Sequence, residues 1–418
     1  MFKRNFFSKV KRLRNDFPFL EKKPLTIFLD NAGTTLKPVT VIESIKKCYV
    51  DYSLNPHSVS SYPGFRKVDQ IINETRELLI EKIEGNSPEE LVFIPSATHS
   101  FNFLALACKT WLKKGDEIAL TYLEHSSNYY PWEILTKEIG VKLIFLPLNF
   151  DNQIDLFELD KYINNHTKVV SFFQVSNALG VINPVTKIVE VIKKRNPDCL
   201  VIVDACQSIT ANQEIFAKQW KIDVLVFSAH KMYGPTGLGI LWVNSASQKK
   251  IPSVLWGGGK IKSPLEKVKE DWEDSVYYQE WEVGTPPLAQ IFGLNASLKW
   301  MKKQKRNEII DYLSSLVEYM VLKMLVKVLG IIIYNKRIER EVGIVTFNLT
   351  NYHSQDVVDY LGRNNLIVRG GNFCCPFLYK IIKTNSAIRI SLALYNTFWE
   401  VDRLIFLLAK IKNYSLLI

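Results

Sequence analysis

Ser228-Ala-His-Lys231-Met-Tyr-Gly-Pro-Thr-Gly-Leu-Gly239 is the stretch on which the fold of this chain turns. A lysine comes shortly after the apolar run Val224 to Phe227 and is followed by a turn rich in glycine and proline, whose backbone can pass close to a ligand. A further apolar run, Ile240 to Val243, comes next. Upstream, similar runs occupy Leu91 to Ile94, Ile118 to Tyr122, Lys142 to Leu146, Val169 to Phe173 and Leu200 to Val203, separated by segments of helical period. That alternation predicts an α/β domain with a mostly parallel sheet. After Ala296 the pattern changes to a long amphipathic helical region, strand-like Gly343 to Leu349, a helix from about Ser354, strand-like Leu366 to Val368 and Ala387 to Leu392, and a terminal helix. The tail therefore reads as a smaller α+β domain closing over a large one.

In open α/β sheets, ligands bind beyond the carboxyl ends of the strands. Here those ends carry Glu124 and His125, Ser176 and Asn177, Asp204 and Gln207, and Ser228, His230 and Lys231. Alone, Asp204 is an ordinary strand-end turn residue and Lys231 a solvated surface lysine. Together they match what pyridoxal 5′-phosphate requires, an amine for its aldehyde carbon and an acid against its pyridine nitrogen. Its phosphate needs donors, and Ser96-Ala-Thr98 follows one apolar run and opens a helical one, so free backbone N–H groups and the Thr98 hydroxyl can face an anion. Gly257-Gly-Gly259 lacks the spacing of a dinucleotide loop.

The 418 residues are 47% apolar and 23% charged, the balance of a soluble globular protein with a large core. The most apolar long stretch, Val317 to Tyr334, is interrupted by Glu318, Lys323 and Lys327 and reads as an amphipathic helix, so no membrane span is expected. The basic first twenty residues lack the apolar core of a secretory signal, and a cytoplasmic protein is the simpler expectation. The net charge of +11 is spread along the chain without a nucleic-acid-binding signature. Of six cysteines, Cys48, Cys108, Cys199 and Cys206 lie in or beside apolar runs, where a reduced buried thiol is expected. Cys374 and Cys375 follow Gly370-Gly371 and precede Pro376, a loop where chemistry is more plausible. No Cys or His spacing suggests a metal site.

From Leu13-Arg-Asn-Asp-Phe-Pro-Phe-Leu20 to Ala393-Leu-Tyr-Asn-Thr397 the sequence resembles the SufS-like cysteine desulfurases among class V aminotransferase-type enzymes. Besides the lysine segment, the resemblance is carried by Phe28-Leu-Asp-Asn-Ala-Gly-Thr-Thr35, Glu124-His-Ser-Ser-Asn128, Val175-Ser-Asn-Ala-Leu-Gly180 and Val203-Asp-Ala-Cys-Gln207. Glu282-Val-Gly-Thr-Pro286, Val368-Arg-Gly-Gly-Asn-Phe-Cys374 and Arg389-Ile-Ser-Leu-Ala393 complete it. It implies the fold type I of pyridoxal-phosphate-dependent transferases, a large domain with a mostly parallel mixed sheet plus a smaller C-terminal α+β domain. The expected division is residues 1–24 packing with the small domain, 25–295 binding the cofactor, and 296–418 carrying the cysteine loop.

The implied activity is conversion of L-cysteine to L-alanine, with sulfur transferred as a persulfide to Cys374 and passed to a SufU- or SufE-like acceptor for iron–sulfur cluster assembly. Lys231 would carry pyridoxal phosphate, Asp204 would pair with its ring nitrogen, Gln207 and Asn177 would flank its phenolic oxygen, and His125 would stack on the ring. Thr98, Ser228 and His230 would bind the phosphate, joined by Thr285 from the other subunit of a homodimer. Arg389 would clamp the substrate carboxylate, with His57 near the substrate, and Arg369, Arg389 or His125 would favour the Cys374 thiolate. His99, His166 and His353 are expected to be structural. The chain departs from the family pattern at Asn372 and Phe373, where histidines are usual, at Cys375, at Pro95-Ser96, where Arg-Gly is common, and at Ser126, where a second histidine is often found. A selenocysteine lyase, an aminotransferase or a kynureninase-like enzyme would keep Lys231 and Asp204 without the same demand on Cys374, and a non-catalytic scaffold would need none of these groups.

Overall fold

The computed structural model describes residues 10–55, 61–210, 214–258 and 276–411. After a two-residue strand β1 (Ile27–Phe28) come β2 (Leu91–Ile94), β3 (Glu117–Leu120), β4 (Lys142–Phe145), β5 (Thr167–Phe173), β6 (Leu200–Asp204), β7 (Val224–Ser228) and β8 (Gly239–Val243). The last seven form one sheet in the order β2-β8-β7-β6-β5-β3-β4. All seven apolar runs of the sequence thus become strands of a single sheet. Only β8 runs against its neighbours, and the pairs among β3 to β7 are parallel. Strands β2, β6, β7 and β8 are buried at every position. A parallel sheet covered by helices on both faces needs such continuous apolar strands, which explains runs without polar alternation.

The remaining strands are β9 (Ile331–Ile333), β10 (Ile344–Leu349), β11 (Leu366–Ile367), β12 (Arg369–Gly371) and β13 (Ala387–Ser391). Four of them form an antiparallel sheet ordered β12-β13-β10-β9, while β11 pairs in parallel with β1. Helices Arg306–Lys327 and Phe398–Lys410 share a second core with this sheet. Val10, Phe17 and Leu20 join that core. Phe17 meets Tyr395 and Trp300 edge-on at 4.6 and 5.5 Å, and Arg14 pairs with the buried Glu400 at 2.8 Å.

One expectation fails locally. The stretch Val317 to Tyr334 is not one helix, because the helix ends at Lys327 and β9 begins at Ile331. Gly330 takes the left-handed φ of +71° with Thr350 packed against it, and the three β-branched isoleucines that follow favour an extended ribbon. Among the described residues, no helix is long and apolar enough to cross a membrane.

Gly239 fixes how closely the sheet rim approaches the next layer. A Cβ there would lie 2.5 Å from the Ser96 carbonyl carbon, at the start of helix Ala97–Lys109. Gly239→Ala is expected to cost about 1–3 kcal/mol by overpacking, read as a fall in Tm on thermal unfolding, with the helix start pushed off the rim.

Candidate active site

Because β2, β3, β5, β6 and β7 end on one rim, the residues at and just beyond their C-terminal ends converge on a cavity of about 390 Å3. Its wall includes Thr98, His125, Asn177, Asp204, Gln207, Ser228, His230, Lys231, Cys374 and Arg389. Of the residues given a catalytic, cofactor-binding or substrate-binding role by the resemblance, two are not in that wall. Thr285 is exposed in its own chain, and His57 lies outside the described residues.

Asp204 is the last residue of β6 and is buried, with Oδ1 accepting the Cys206 amide at 2.9 Å. Gln207 donates Nε2 to the Ala32 carbonyl at 2.7 Å, and Asn177 donates Nδ2 to the Phe373 carbonyl at 2.7 Å. Each amide nitrogen carries two hydrogens, so one remains for a ligand. The His125 Nδ1 accepts the Ser127 amide at 3.1 Å, which leaves its proton on Nε2. Burial, then the Lys231 charge, pushes this imidazole down to about 4, so it is neutral at pH 7.

At the other end, the Ser228 hydroxyl accepts the Ala97 amide at 3.0 Å. The first N–H of the helix is therefore engaged by protein, contrary to the expectation that the helix start is free. Ser96 caps the helix, receiving the His99 amide at 3.3 Å, with the His99 ring 2.9 Å away. Thr98 Oγ1 meets Ser127 Oγ at 2.8 Å, so the extra hydroxyl beside Thr98 comes from Ser127. His353 is a helix cap, accepting the Gln355 amide at 3.2 Å.

The cysteine loop is held by its backbone. Ser126 donates from N and Oγ to the Cys374 carbonyl at 2.7 and 2.9 Å, and Asn372 Oδ1 accepts the Cys374 amide at 3.2 Å. Phe373 and Cys374 both sit at φ +56°, a strained conformation for residues with a Cβ. The positions that depart from the family pattern, Asn372 and Ser126, are thus the ones that tie this turn down. Cys374 is exposed at the cavity. Cys375 is fully buried, with Sγ 3.6 Å from the Tyr122 carbonyl, and burial aided by the Glu124 charge pushes its thiol up to about 12. The other four cysteines are free and buried.

Arg389 lies in β13, 3% exposed. It donates Nη1 to the Asn177 carbonyl at 2.8 Å and Nη2 to Asp30 at 2.7 Å, while its Nε is buried without a partner. Asp30 was not singled out from the sequence. Its signal was its place in Phe28–Thr35, but only the fold sets a carboxylate against the guanidinium. Gly33 leaves room for it, since a Cβ there would sit 2.7 Å from Asp30 Oδ2.

A buried acid and a lysine from neighbouring strands, a neutral imidazole, hydroxyl donors at a helix start and an arginine with a spare buried N–H fit pyridoxal phosphate and an amino-acid carboxylate. Residues 27–404 match the model of the family described as aminotransferase class-V. The chain belongs to the class-V aminotransferase family. Its relatives place it in the cysteine desulfurase branch. It is 38% identical over 400 residues to a probable cysteine desulfurase of Ureaplasma parvum serovar 3, covering 96% of each chain. A cysteine desulfurase of Wigglesworthia glossinidia brevipalpis is 32% identical over 413 residues, covering 97% of this chain and 98% of its own. Among solved structures, the apo cysteine desulfurase of Thermococcus onnurineus superposes with a TM-score of 0.87 at 28% identity, over 96% of this chain and 97% of that one. The cysteine desulfurase CsdA of Escherichia coli, in its S-sulfonic acid form, gives 0.87 at 25% identity, over 97% and 98%.

Two outcomes are expected. A brief pulse of iodoacetamide on the folded protein should alkylate Cys374 and spare Cys375, as read by peptide mass spectrometry; equal labelling would contradict the burial described. His125 and His230 are each held down to about 4, against 6.5 when free, so the unfolded chain takes up their protons first. Their contribution to stability is full above the free value and is lost as pH falls toward 4, so Tm should drop between about pH 7 and pH 5, less so in a His125→Gln/His230→Gln variant.

Proposed function

We propose that this protein is a pyridoxal-phosphate-dependent cysteine desulfurase, a sulfurtransferase that converts L-cysteine to L-alanine and keeps the sulfur as a persulfide on Cys374. The observation that carries the reading is the exposed Cys374, pinned in a left-handed turn at the mouth of the cavity that also holds Lys231 and Arg389. A plain aminotransferase does not need that thiol. Selenocysteine lyase activity is the nearest alternative and uses the same groups.

Pyridoxal phosphate, carried on Lys231, supplies the electron sink that labilises the substrate Cα proton and the Cβ–S bond. With the cofactor bound, Asp204 would pair with the ring nitrogen and keep it protonated, and neutral His125 would stack on the ring without adding charge. Thr98, Ser228 and His230 receive the phosphate, with Thr285 of a second copy reaching the same site in a homodimer. Arg389 receives the substrate carboxylate through its planar fork, which a lysine could not reproduce. Asn177 and Gln207 orient ring and substrate, and His57 belongs to the substrate side of this reading. The Lys231 amine would move the proton at Cα. The Cys374 thiolate then attacks the substrate sulfur, so that the Sγ–S bond forms as the Cβ–S bond breaks and a proton replaces sulfur on Cβ. Arg389 and Arg369 line the same cavity as the Cys374 thiol.

Residues 1–24, 25–295 and 296–418 serve in this reading as N-terminal segment, cofactor domain and small domain, supported by the two largest cores, the second of which also takes in Ile27, Phe28, Leu29, Leu36 and Tyr233. The persulfide would pass to a SufU- or SufE-like acceptor for iron–sulfur cluster assembly in the cytoplasm.

Cys374→Ala is expected to lower L-cysteine-dependent alanine formation by on the order of a thousandfold or more while the cofactor's visible absorption stays intact. Mass spectrometry after a short L-cysteine pulse should find added sulfur on Cys374. Sulfur on Cys375 alone, or full activity in the variant, would overturn the assignment. Asp30→Asn is expected to raise KM for L-cysteine about tenfold with less effect on kcat, because it loosens Arg389 rather than the reacting groups.

A further inference from the structure

Lys37 belongs to no part of the chemistry above. It is half-buried on the segment that follows β1. Its Nζ donates to the His230 carbonyl at 2.7 Å, the Thr35 carbonyl at 2.5 Å and the Thr34 hydroxyl at 3.3 Å. Burial pushes the ammonium down to about 7, and among the described residues no carboxylate pairs with it. A cation drawn this far out of water without a counter-ion is stabilised when an anion completes its surroundings.

The His230 carbonyl has an unusual number of donors within reach. Besides Lys37, the Thr35 amide lies at 3.2 Å, the Thr35 hydroxyl at 3.1 Å and the Thr34 hydroxyl at 3.2 Å. A carbonyl oxygen offers two lone pairs, which Lys37 and Thr35 fill. Thr34 has one hydroxyl proton and a second acceptor available, the His230 Nδ1 at 3.1 Å. With the carbonyl taken, that proton goes to Nδ1. His230 is neutral, pushed down to about 4 by burial and by the charges of Lys231 and Lys37. Its one remaining proton is then on Nε2, the form that donates to an anion. The same peptide unit carries the Lys231 amide, so the clamp also holds the backbone at the start of the lysine residue.

Charge points the same way. Around the helix start the cavity wall includes Thr34, Ser96, Ala97, Thr98, Ser127, Ser228 and His230, and the neighbouring cation, Lys231, is the amine committed to the cofactor's aldehyde carbon. Lys37 stands one layer behind them. We propose that Lys37 is a positioning residue that holds His230 in its Nε2–H form and supplies the counter-charge for the cofactor phosphate. This rests on the pyridoxal-phosphate reading given above.

The test compares binding of pyridoxal phosphate with binding of pyridoxal, which lacks the phosphate, to the full-length protein stripped of cofactor. In Lys37→Met, pyridoxal phosphate should bind about tenfold more weakly while pyridoxal changes by less than about twofold, and Lys37→Arg should recover most of the loss. In 15N spectra, the His230 imidazole should move from a pure Nε2–H pattern to a mixture in Lys37→Met and in Thr34→Val, which removes the relay without touching charge. Unchanged pyridoxal-phosphate affinity in Lys37→Met, an equal loss for both ligands, or an unaltered His230 signal in Thr34→Val would overturn the role of Lys37. Failure of the wild-type protein to bind either ligand would instead remove the desulfurase reading itself.

Discussion

Parallel pairing of β6 with β7, in a register that sets Asp204 opposite Val226, is the constraint on which the site depends. It brings an acid to the rim at the end of one strand and, a few residues past the end of the next, the lysine. Neither could reach the other from opposite edges or from an antiparallel pair, since the strand ends would then point apart. The continuous apolar character of both strands holds the register, because covered parallel strands have no solvent face to slip toward. The chemistry is therefore anchored in the most deeply buried part of the protein, and only the last side chains of each strand are spent on the ligand.

A second set of contacts closes the site from the other sheet. Arg389, inside β13, is tied to Asp30 and to the Asn177 carbonyl. The same Asn177 holds the Phe373 carbonyl through its side chain. Ser126 holds the next carbonyl, that of Cys374. Arg389, Asn177 and the Cys374 turn are thus coupled through a few hydrogen bonds, with the Arg389 guanidinium also over the Phe373 ring at 5.1 Å. That arrangement explains how a turn with two residues in the left-handed region persists, and how two adjacent cysteines come to have opposite characters. One thiol faces the cavity, and the other is lodged against a backbone carbonyl with its proton held on by burial.

Much of the fold was legible because a parallel sheet writes itself as uninterrupted apolar runs. All seven became strands, and Asp204, Ser228 and Lys231 lie at or just beyond their ends. The misread element was Val317 to Tyr334, where apolar periodicity continues past Lys327 although Gly330 and the isoleucines after it turn the chain into β9. Composition within a window cannot see that Thr350 occupies the space beside Gly330. Strands β1 and β12 were also missed, since two or three residues show no period and are extended only because a distant strand offers them hydrogen bonds.

By itself, the sequence determined which groups could act: a lysine and an acid at strand ends, an arginine in a strand, and a pair of cysteines in a glycine loop. Residue type and position relative to an apolar run are local properties, and one chain carries them openly. Only the tertiary structure decided which cysteine is accessible, that Asp30 faces Arg389, that Ser228 rather than a ligand takes the first helix amide, and that Lys37 stands behind His230. Those pairings join residues far apart along the chain, up to 359 positions for Asp30 and Arg389. Their hydrogen bonds and burial exist only once the two cores have formed and brought the partners within reach.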